Sequence, residues 1–234
     1  MRRIIGAATG LWAVCAVAAF AQGTDNPVVV ELFTSQGCSS CPPADAILGD
    51  LAGRDDVIAL ALHVDYWDYI GWKDTFADPS STKRQRAYAR VAGARNIYTP
   101  QMVVGGMDHL VGVRPMELSD LIERHNAKDS TIDLNLARSG GSLTIAATAS
   151  APLRAGAVVQ LVRYRPNVTV AIERGENAGR EIAYANIVES ITSLGEWDGS
   201  APLALQESLS GDDAVVVILQ EPGPGPILAA ARLR

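Results

Sequence analysis

Residues 28–53 read VVVELFTSQGCSSCPPADAILGDLAG, and this stretch decides the fold. It opens with β-branched and other apolar residues that predict a buried strand over 27–34. The turn that follows contains Cys38 and Cys41 in a C-x-x-C arrangement. Two prolines then suit the first turn of a helix, which we expect over 42–53. The stretch therefore predicts a strand–turn–helix unit with a cysteine pair at the start of its helix.

A second apolar run, VIALALHV at 57–64, predicts another buried strand and, with the first, a parallel βαβ unit. A helix through KRQRAYARVAG is expected after a cap within Ser80-Ser81-Thr82. Two further strands flank the glycine pair at 105–106, which favours a tight hairpin. Pro115 opens a last amphipathic helix. This order of elements predicts a thioredoxin-like α/β domain over 22–128.

The pattern changes near residue 129, where alternating apolar and polar residues replace the helical spacing. IDLNLAR and LTIAATA flank the turn SGGS and predict a hairpin. Further runs predict strands between turns: AVVQLVRYRP, VTVAIERG, ANIVESITSLGEW, AVVVILQE and PILAAARLR. We expect residues 129–234 to form a second, mostly antiparallel all-β domain of sandwich type.

The N-terminus has the features of an export signal. A basic start at Arg2 and Arg3 precedes an almost wholly apolar run at 4–20, and an A-x-A cleavage pattern ends at Ala21. We predict a cleaved signal peptide over 1–21 and a periplasmic or secreted protein. An uncleaved membrane anchor is the alternative, because the apolar run approaches the length of a membrane span.

Net charge and cysteine content limit the classes of function that the sequence supports. The net charge of −6 becomes more negative once Arg2 and Arg3 are removed, which excludes an electrostatic nucleic-acid binder. No second long apolar run follows, so we expect a soluble mature form that does not span a membrane. Cys15 leaves with the signal, and the remaining pair, Cys38 and Cys41, is spaced for reactivity or metal binding rather than for stapling the fold.

The chemical prediction rests on this pair. A sulfur at a helix N-terminus is stabilised as a thiolate by the helix dipole and by unpaired N–H groups, and the thiolate is the reactive form. We therefore assign Cys38 as the nucleophile and Cys41 as the resolving thiol. Thr99 and Pro100 begin a later strand at the point where thioredoxin-like proteins have a cis-proline facing the cysteines. We expect protein or peptide thiols and disulfides as partners, and no cofactor.

Four stretches of the chain resemble a secreted bacterial family catalogued as domain of unknown function 1223. They are VELFTSQGCSSCPPADAIL, ALHVDYWDYIGWKDTFA, RQRAYARVAGARNIYTPQMVV and GENAGREIAYANIVESI. The resemblance covers most of the mature chain and implies a thioredoxin-like fold and an exported bacterial protein. It implies no substrate, so the redox role comes from the wider superfamily.

Two titratable residues are candidates for roles beside the cysteines. Glu31 lies in the apolar run before Cys38, and thioredoxin-like proteins often place a buried acid beneath the second cysteine as a proton acceptor. An acid at a strand edge facing water is the alternative. His63 ends the second strand, followed by Asp65, at the sheet edge where α/β proteins build sites. It is a proton carrier, a structural histidine, or a metal ligand together with Cys38 and Cys41.

Three functions therefore stay open: a thiol-disulfide oxidoreductase or redox partner, a copper- or other metal-binding module, and a non-catalytic binding protein with a structural disulfide. The aromatic residues after the second strand form either a substrate-docking rim or packing for an insertion: Tyr66, Trp67, Tyr69 and Trp72. Spaced arginines predict a solvated helix face: Arg84, Arg86 and Arg90. We interpret His109 and His125 as structural.

Overall fold

The protein is represented by a computed structural model that describes residues 26–210 and 213–233. The predicted signal peptide over 1–21, with Cys15, lies outside the described residues. Across the two described ranges, no helix is long and apolar enough to cross a membrane.

The predicted βαβ unit is confirmed. It consists of β1 (Val28–Thr34), α1 (Pro42–Ala52) and β2 (Val57–His63). The two strands are parallel and paired along their full length. Every residue of both strands is buried, which explains why their sequences are nearly continuous apolar runs rather than alternating ones.

The helix α2 (Pro79–Val91) begins before the cap predicted within Ser80-Ser81-Thr82. Its N-cap is Asp78, whose carboxylate accepts a hydrogen bond from the Ser80 N–H at 2.6 Å. Pro79 occupies the first helical position, where a missing N–H removes no helical hydrogen bond. The Asp-Pro pair was thus the stronger start signal.

The hairpin and the last helix of this half are confirmed. They are β3 (Gln101–Val104), β4 (Asp108–Val111) and α3 (Pro115–Asn126). Gly105 and Gly106 between the strands have φ angles of 59° and 73°, a conformation that favours glycine.

Seven strands follow: β5 (Ile132–Ser139), β6 (Ser142–Ala149), β7 (Ala157–Ala171), β8 (Glu181–Trp197), β9 (Leu203–Ser208), β10 (Ala214–Gln220) and β11 (Ile227–Leu233). Two strands expected separately run as one in β7, straight through Pro166. Pairing between β7 and β10 ends at Tyr164, so Pro166 lies where no β10 partner needs its missing N–H. The sequence LALQES of β9 contains no β-branched residue, and its strand was not predicted.

The strands form one large mixed sheet in the order β11-β10-β7-β8-β2-β1-β3-β4 and a small sheet in the order β5-β6-β9. The protein is therefore a sheet-dominated α/β protein. Strands from both predicted segments share the large sheet, in which β2 and β8 are parallel at Ala61 and Ile187. The domain boundary between 128 and 129 stays a prediction, and a continuous sheet passes across it.

The sheet has apolar layers on both faces. Val30 and Leu32 of β1 pack with α1 and α3 on one face, while Val29 and Phe33 pack toward α2 on the other. A further cluster joins the small sheet to β7, β10 and β11, as in a sandwich. Because side chains alternate along a strand, Glu31 lies on the α2 face of β1 and away from α1.

Candidate functional site at the cysteine pair

The cysteine turn connects β1 to the start of α1. The Cys38 N–H donates to Ser35 O at 3.1 Å, and the Cys41 N–H donates to Cys38 O at 3.2 Å. Cys41 is the N-cap residue of α1, and prolines occupy the next positions. The two sulfurs are therefore held at the positive end of the helix dipole.

Cys38 and Cys41 form a disulfide, with Cα atoms 5.4 Å apart. Cys38 is 3% exposed and Cys41 is fully buried, whereas Ser39 and Ser40 between them are exposed. A thiolate that attacks this disulfide must therefore approach it past surrounding protein.

Pro100 lies near the first turn of α1, and Thr99 contacts Trp67. The peptide bond between Thr99 and Pro100 is cis. A Cβ added to Gly112 would lie 3.0 Å from Ala44 Cβ and 3.1 Å from Pro100 Cβ, so Pro100 and the first turn of α1 approach each other closely on either side of Gly112. On the other side, the Trp67 indole N–H donates to Thr99 Oγ1 at 2.7 Å.

Glu31 does not lie beside the cysteines. It is fully buried on the opposite face of β1, where Arg84 Nε donates to Oε1 at 2.6 Å and Arg84 Nη2 donates to Oε2 at 3.1 Å. The Tyr88 hydroxyl also donates to Oε2. Because α2 side chains engage both carboxylate oxygens, this geometry gives the predicted proton-acceptor role of Glu31 no support.

The expectation of a solvated helix face is wrong for Arg84. Its side chain is only 12% exposed. Burial alone would lower the pKa of Arg84, but the charge of Glu31 holds this pKa above its ordinary value. Arg86 and Arg90 are exposed, as predicted. At 3.0 to 3.2 Å, Arg84 donates to three uncharged side chains: Tyr88, Gln160 and Gln220.

A different acid lies next to the cysteine pair. Asp45 follows Cys41 by one helical turn, so the two residues share a face of α1. Burial raises the pKa of Asp45 to about 7, against the opposing influence of His63 and of the nearby Thr34 hydroxyl. Neither carboxylate oxygen of Asp45 has a partner in full hydrogen-bond geometry among the described residues. This carboxyl group can therefore gain or lose a proton near neutral pH.

Asp45 belongs to a buried polar group that we call the acid cluster: Thr34, Asp45, His63, Asp74 and Tyr184. His63 Nδ1 lies 2.7 Å from Asp74 Oδ2, and both side chains are fully buried. The rings of His63 and Tyr184 are 5.0 Å apart. Burial, followed by the charges of Asp45 and Asp74, raises the pKa of Tyr184.

Several atoms of the acid cluster are buried without a hydrogen-bond partner among the described residues. Besides the Asp45 oxygens, they are Thr34 Oγ1, His63 Nε2 and Tyr184 Oη. Most buried polar atoms in folded proteins are paired, so a concentration of unpaired ones needs an explanation. Unpaired titratable groups beside a disulfide indicate a site that handles protons.

The segment over 66–72, which we call the aromatic segment, connects the acid cluster to the cysteine turn. Asp74 Oδ2 accepts a hydrogen bond from the Gln36 N–H at 2.8 Å, and the Trp72 indole N–H donates to Gln36 Oε1 at 2.8 Å. A Cβ added to Gly37 would lie 3.3 Å from Trp67 Cβ. Trp67 and Trp72 therefore pack the segment against the turn, whereas Tyr69 is 80% exposed.

The structure does not assemble the alternative metal site. His63 Nδ1 contacts Asp74, and the two cysteine sulfurs are bonded to each other. Within residues 26–210 and 213–233, no group of three or more His, Cys, Asp or Glu side chains is arranged to hold a metal ion.

Comparisons with known proteins place the chain in a family. The family profile described as "Protein of unknown function (DUF1223)" matches residues 29–220. This chain belongs to the DUF1223 family. The resemblance inferred from the sequence is thereby confirmed. A search of curated proteins gives no match.

Two solved structures resemble this DUF1223 chain. The crystal structure of protein AGR_C_4864 from Agrobacterium tumefaciens matches with a TM-score of 0.78 and 31% identity, over 91% of this chain and 96% of that chain. The structure of HBP35 of Porphyromonas gingivalis matches with a TM-score of 0.67 and 19% identity, over 91% and 76% of the two chains. The second likeness concerns the fold alone.

Sequence reasoning missed several residues of the DUF1223 site, among them Asp45, Asp74 and Asn177. Asp45 had a signal, since it lies one turn after Cys41 in a helix whose buried face includes Leu48. Asp74 comes from an irregular segment with no periodicity. Asn177 comes from a loop 139 positions after Cys38, and its side-chain amide donates to Cys38 O at 2.9 Å. No local pattern reports such a contact.

Proposed function

We propose that this DUF1223 protein is a thiol-disulfide oxidoreductase or redox partner that acts through Cys38 and Cys41. The observation that supports this most is a C-x-x-C disulfide at the start of α1 with a buried carboxyl group, Asp45, one turn along the same helix. Among the described residues, this carboxyl group has no partner in full hydrogen-bond geometry. A purely structural disulfide needs no titratable group beside it. Thiol–disulfide exchange changes the protonation of sulfur, so a neighbouring group that can donate or accept a proton assists it.

A thioredoxin-like arrangement of the first half supports the same proposal. The parallel strands β1 and β2 flank α1, and β3 lies antiparallel on the other side of β1. The cis bond between Thr99 and Pro100 lies against the first turn of α1. The proposed groove for a substrate is formed by this bond and the cysteine turn.

The proposed exchange has two steps. In the oxidising direction, a substrate thiolate attacks Cys38 Sγ, the disulfide breaks, and Cys41 leaves as a thiolate. A second substrate thiolate attacks the substrate sulfur of the mixed disulfide and releases Cys38. Two substrate thiols become one disulfide, and the protein gains two electrons and two protons. The reducing direction reverses these steps, with Cys38 attacking and Cys41 resolving.

Asp45 is the proposed proton donor and acceptor for Cys41. Because burial raises the pKa of Asp45 to about 7, its carboxyl group holds a proton near neutral pH and can pass it to the thiolate that forms one turn away. His63 Nε2 lies in the same cluster without a hydrogen-bond partner in the described part of the chain, and Asp74 fixes the ring through Nδ1. This arrangement suits exchange of the proton between Asp45 and its surroundings.

Export to the bacterial periplasm or beyond the cell is part of the proposal. The basic start, the apolar run over 4–20 and the A-x-A pattern support a signal peptide. Disulfides persist in such compartments. Protein or peptide thiols and disulfides are the proposed partners.

A binding protein with a static disulfide is the second candidate, and the burial of both cysteines favours it. A redox titration of the Cys38–Cys41 pair against glutathione, read by thiol alkylation and mass, separates the two. We expect reversible exchange in the wild type, complete loss of exchange in Cys38→Ser, and a trapped mixed disulfide in Cys41→Ser. Ser39→Ala, at an exposed position between the cysteines, is the matched control and is expected to retain exchange. A pair that stays oxidised at every glutathione ratio would identify a static disulfide.

A further inference from the structure

The connection between β7 and β8, residues 172–180, lies over the cysteine turn, and we call it the strap. The side-chain amide of Asn177 donates to Gln36 O and to Cys38 O, both at 2.9 Å. These two carbonyls flank Gly37, so one amide holds the backbone that leads into Cys38. The contact exists because the fold returns the β-rich half of the chain to the cysteines.

The strap is an ordered turn that presents one polar side chain inward. Gly179 N donates to Ile172 O at 2.8 Å, and Ile172 N donates to Arg180 O at 2.9 Å. Within the strap only Ile172 and Asn177 are buried, and Asn177 is 1% exposed. The charged residues of the strap face solvent: Glu173, Arg174, Glu176 and Arg180.

Gly175 seats the strap against the aromatic segment. Its φ angle is +79°, and an added Cβ would lie 3.1 Å from Trp72 Cβ. Trp72 in turn donates to the Gln36 side chain, so the strap, Trp72 and the cysteine turn pack as one unit. A side chain at position 175 would push the strap away from the turn.

Asn177 also has an unsatisfied atom. Its Oδ1 is buried without a hydrogen-bond partner among the described residues. Buried side-chain oxygens are rarely left unpaired in structural positions, and an exception next to a reactive bond points to a role in the site.

We propose that Asn177 is a positioning residue of the redox site and that the strap controls access to Cys38, an inference that rests on the proposed function. In the closed form, Asn177 fixes the Cys38 backbone and the sulfur is covered, with Cys38 only 3% exposed. A small dithiol reaches the sulfur with the strap in place, whereas a protein thiol requires the strap to lift. The β-rich half of the chain thereby becomes part of the site and selects partners by size.

The test compares the rates at which dithiothreitol and reduced thioredoxin reduce the disulfide of the oxidised full chain. Either reductant gives up two electrons and two protons and becomes a disulfide, while Cys38 and Cys41 become thiols. Asn177→Asp keeps the side-chain shape but replaces the donor by a carboxylate that repels both carbonyls. We expect the rate with thioredoxin to rise about tenfold relative to the rate with dithiothreitol, because losing two hydrogen bonds raises the population of the lifted strap.

Two further variants make the result specific. Gly175→Ala leaves Asn177 in place and is expected to shift the rate ratio in the same direction, so it answers the question even if Asn177→Asp does not fold. Asn186→Asp is the matched control, since Asn186 of β8 donates to Ala59 O at 2.8 Å, away from the cysteine turn. Its φ of +48° suits Asp as well as Asn, and we expect an unchanged ratio.

The outcomes separate the two proposals. If the wild type reacts with both reductants and the strap variants keep its rate ratio, the inference is overturned and the proposed function is not. If the disulfide of the wild type resists both reductants, the proposed function is overturned, and the inference falls with it. A shift in Asn186→Asp as large as that in Asn177→Asp would also overturn the inference.

Discussion

Two carboxylates are buried against the central strands of this protein, and their surroundings differ. Glu31 is 0% exposed and Asp45 is 3% exposed. Glu31 accepts hydrogen bonds from Arg84 and Tyr88, whereas Asp45 has no partner in full hydrogen-bond geometry among the described residues. Similar burial thus accompanies an ion-paired structural group in one place and a carboxyl group with a raised pKa in the other. What decides between them is whether the surroundings supply donors.

The two acids also differ in the elements that surround them. Glu31 projects from β1 toward α2, whose arginine and tyrosine satisfy its charge. Asp45 projects from α1 into the acid cluster, where His63 is already engaged by Asp74. We interpret the Glu31 group as part of the fold's stability and the Asp45 group as part of the site.

The largest effect is expected for Glu31→Gln. The variant leaves the buried guanidinium of Arg84 without its counter-charge, and we expect a loss of about 3–5 kcal/mol in the free energy of unfolding at neutral pH. Urea unfolding of the oxidised protein measures this. The redox equilibrium of the folded variant with glutathione should match that of the wild type, and a shifted equilibrium would contradict the structural role of Glu31.

An effect of comparable or smaller size, which depends on pH, is expected for Asp45→Asn. Between the ordinary pKa of 3.8 and the raised pKa of about 7, the folded protein keeps a proton that the unfolded chain has released. The wild type therefore loses stability as pH rises through this window, and the loss is complete above it. Asparagine does not titrate, so the stability of the variant relative to the wild type should rise by up to about 4 kcal/mol across the window.

Urea unfolding of the oxidised wild type and the Asp45→Asn variant at a series of pH values measures this difference. Parallel stability curves across the window would show that Asp45 is not held protonated. The same variant also tests the site. The rate of thiol exchange in the wild type should change with pH near the raised pKa of Asp45, about 7, and this change should be absent in Asp45→Asn.

The smallest effect is expected for Glu117→Gln. Glu117 pairs with Arg114 at 3.1 Å on the surface, where the two side chains are 46% and 61% exposed. Solvent screens such a pair, so we expect a change in unfolding free energy of about 0.5 kcal/mol or less. Thermal unfolding alongside Glu31→Gln measures the contrast. If Glu117→Gln lost as much unfolding free energy as Glu31→Gln, burial would not be what distinguishes the Glu31 and Glu117 ion pairs.

Much of the first half could be predicted from local signals. The apolar runs of β1 and β2, the prolines at the starts of α1 and α3, and the glycine pair of the β3–β4 hairpin each specify their element through a few neighbouring residues. The second half was harder, since β7 continues through Pro166 and β9 lacks β-branched residues. Those strands are stabilised by pairing with distant strands, which local propensity does not report.

The candidate site divides in the same way. Cys38 and Cys41 could be identified from their spacing and their position before a helix. The acid beside them could not be assigned by the same reasoning, because Glu31 and Asp45 differ in which face of their elements they occupy and in what covers that face. Arg84 looked solvated in its sequence, and it is buried because it pairs with Glu31, whose side chain lies on the α2 face of β1.

The sequence by itself determined the cysteine pair, the βαβ unit around it and the family, since these depend on residues close together in the chain. Export remains a prediction from the sequence. Only the tertiary structure decided that Glu31 pairs with Arg84, that Asp45 lies beside Cys41 without a partner in full hydrogen-bond geometry among the described residues, and that Asn177 reaches the cysteine turn. Those outcomes depend on contacts between residues far apart along the chain, which form when α2, β8 and the strap pack onto the first strands. Local sequence thus specifies the Cys38–Cys41 pair, and long-range packing specifies the groups that surround it.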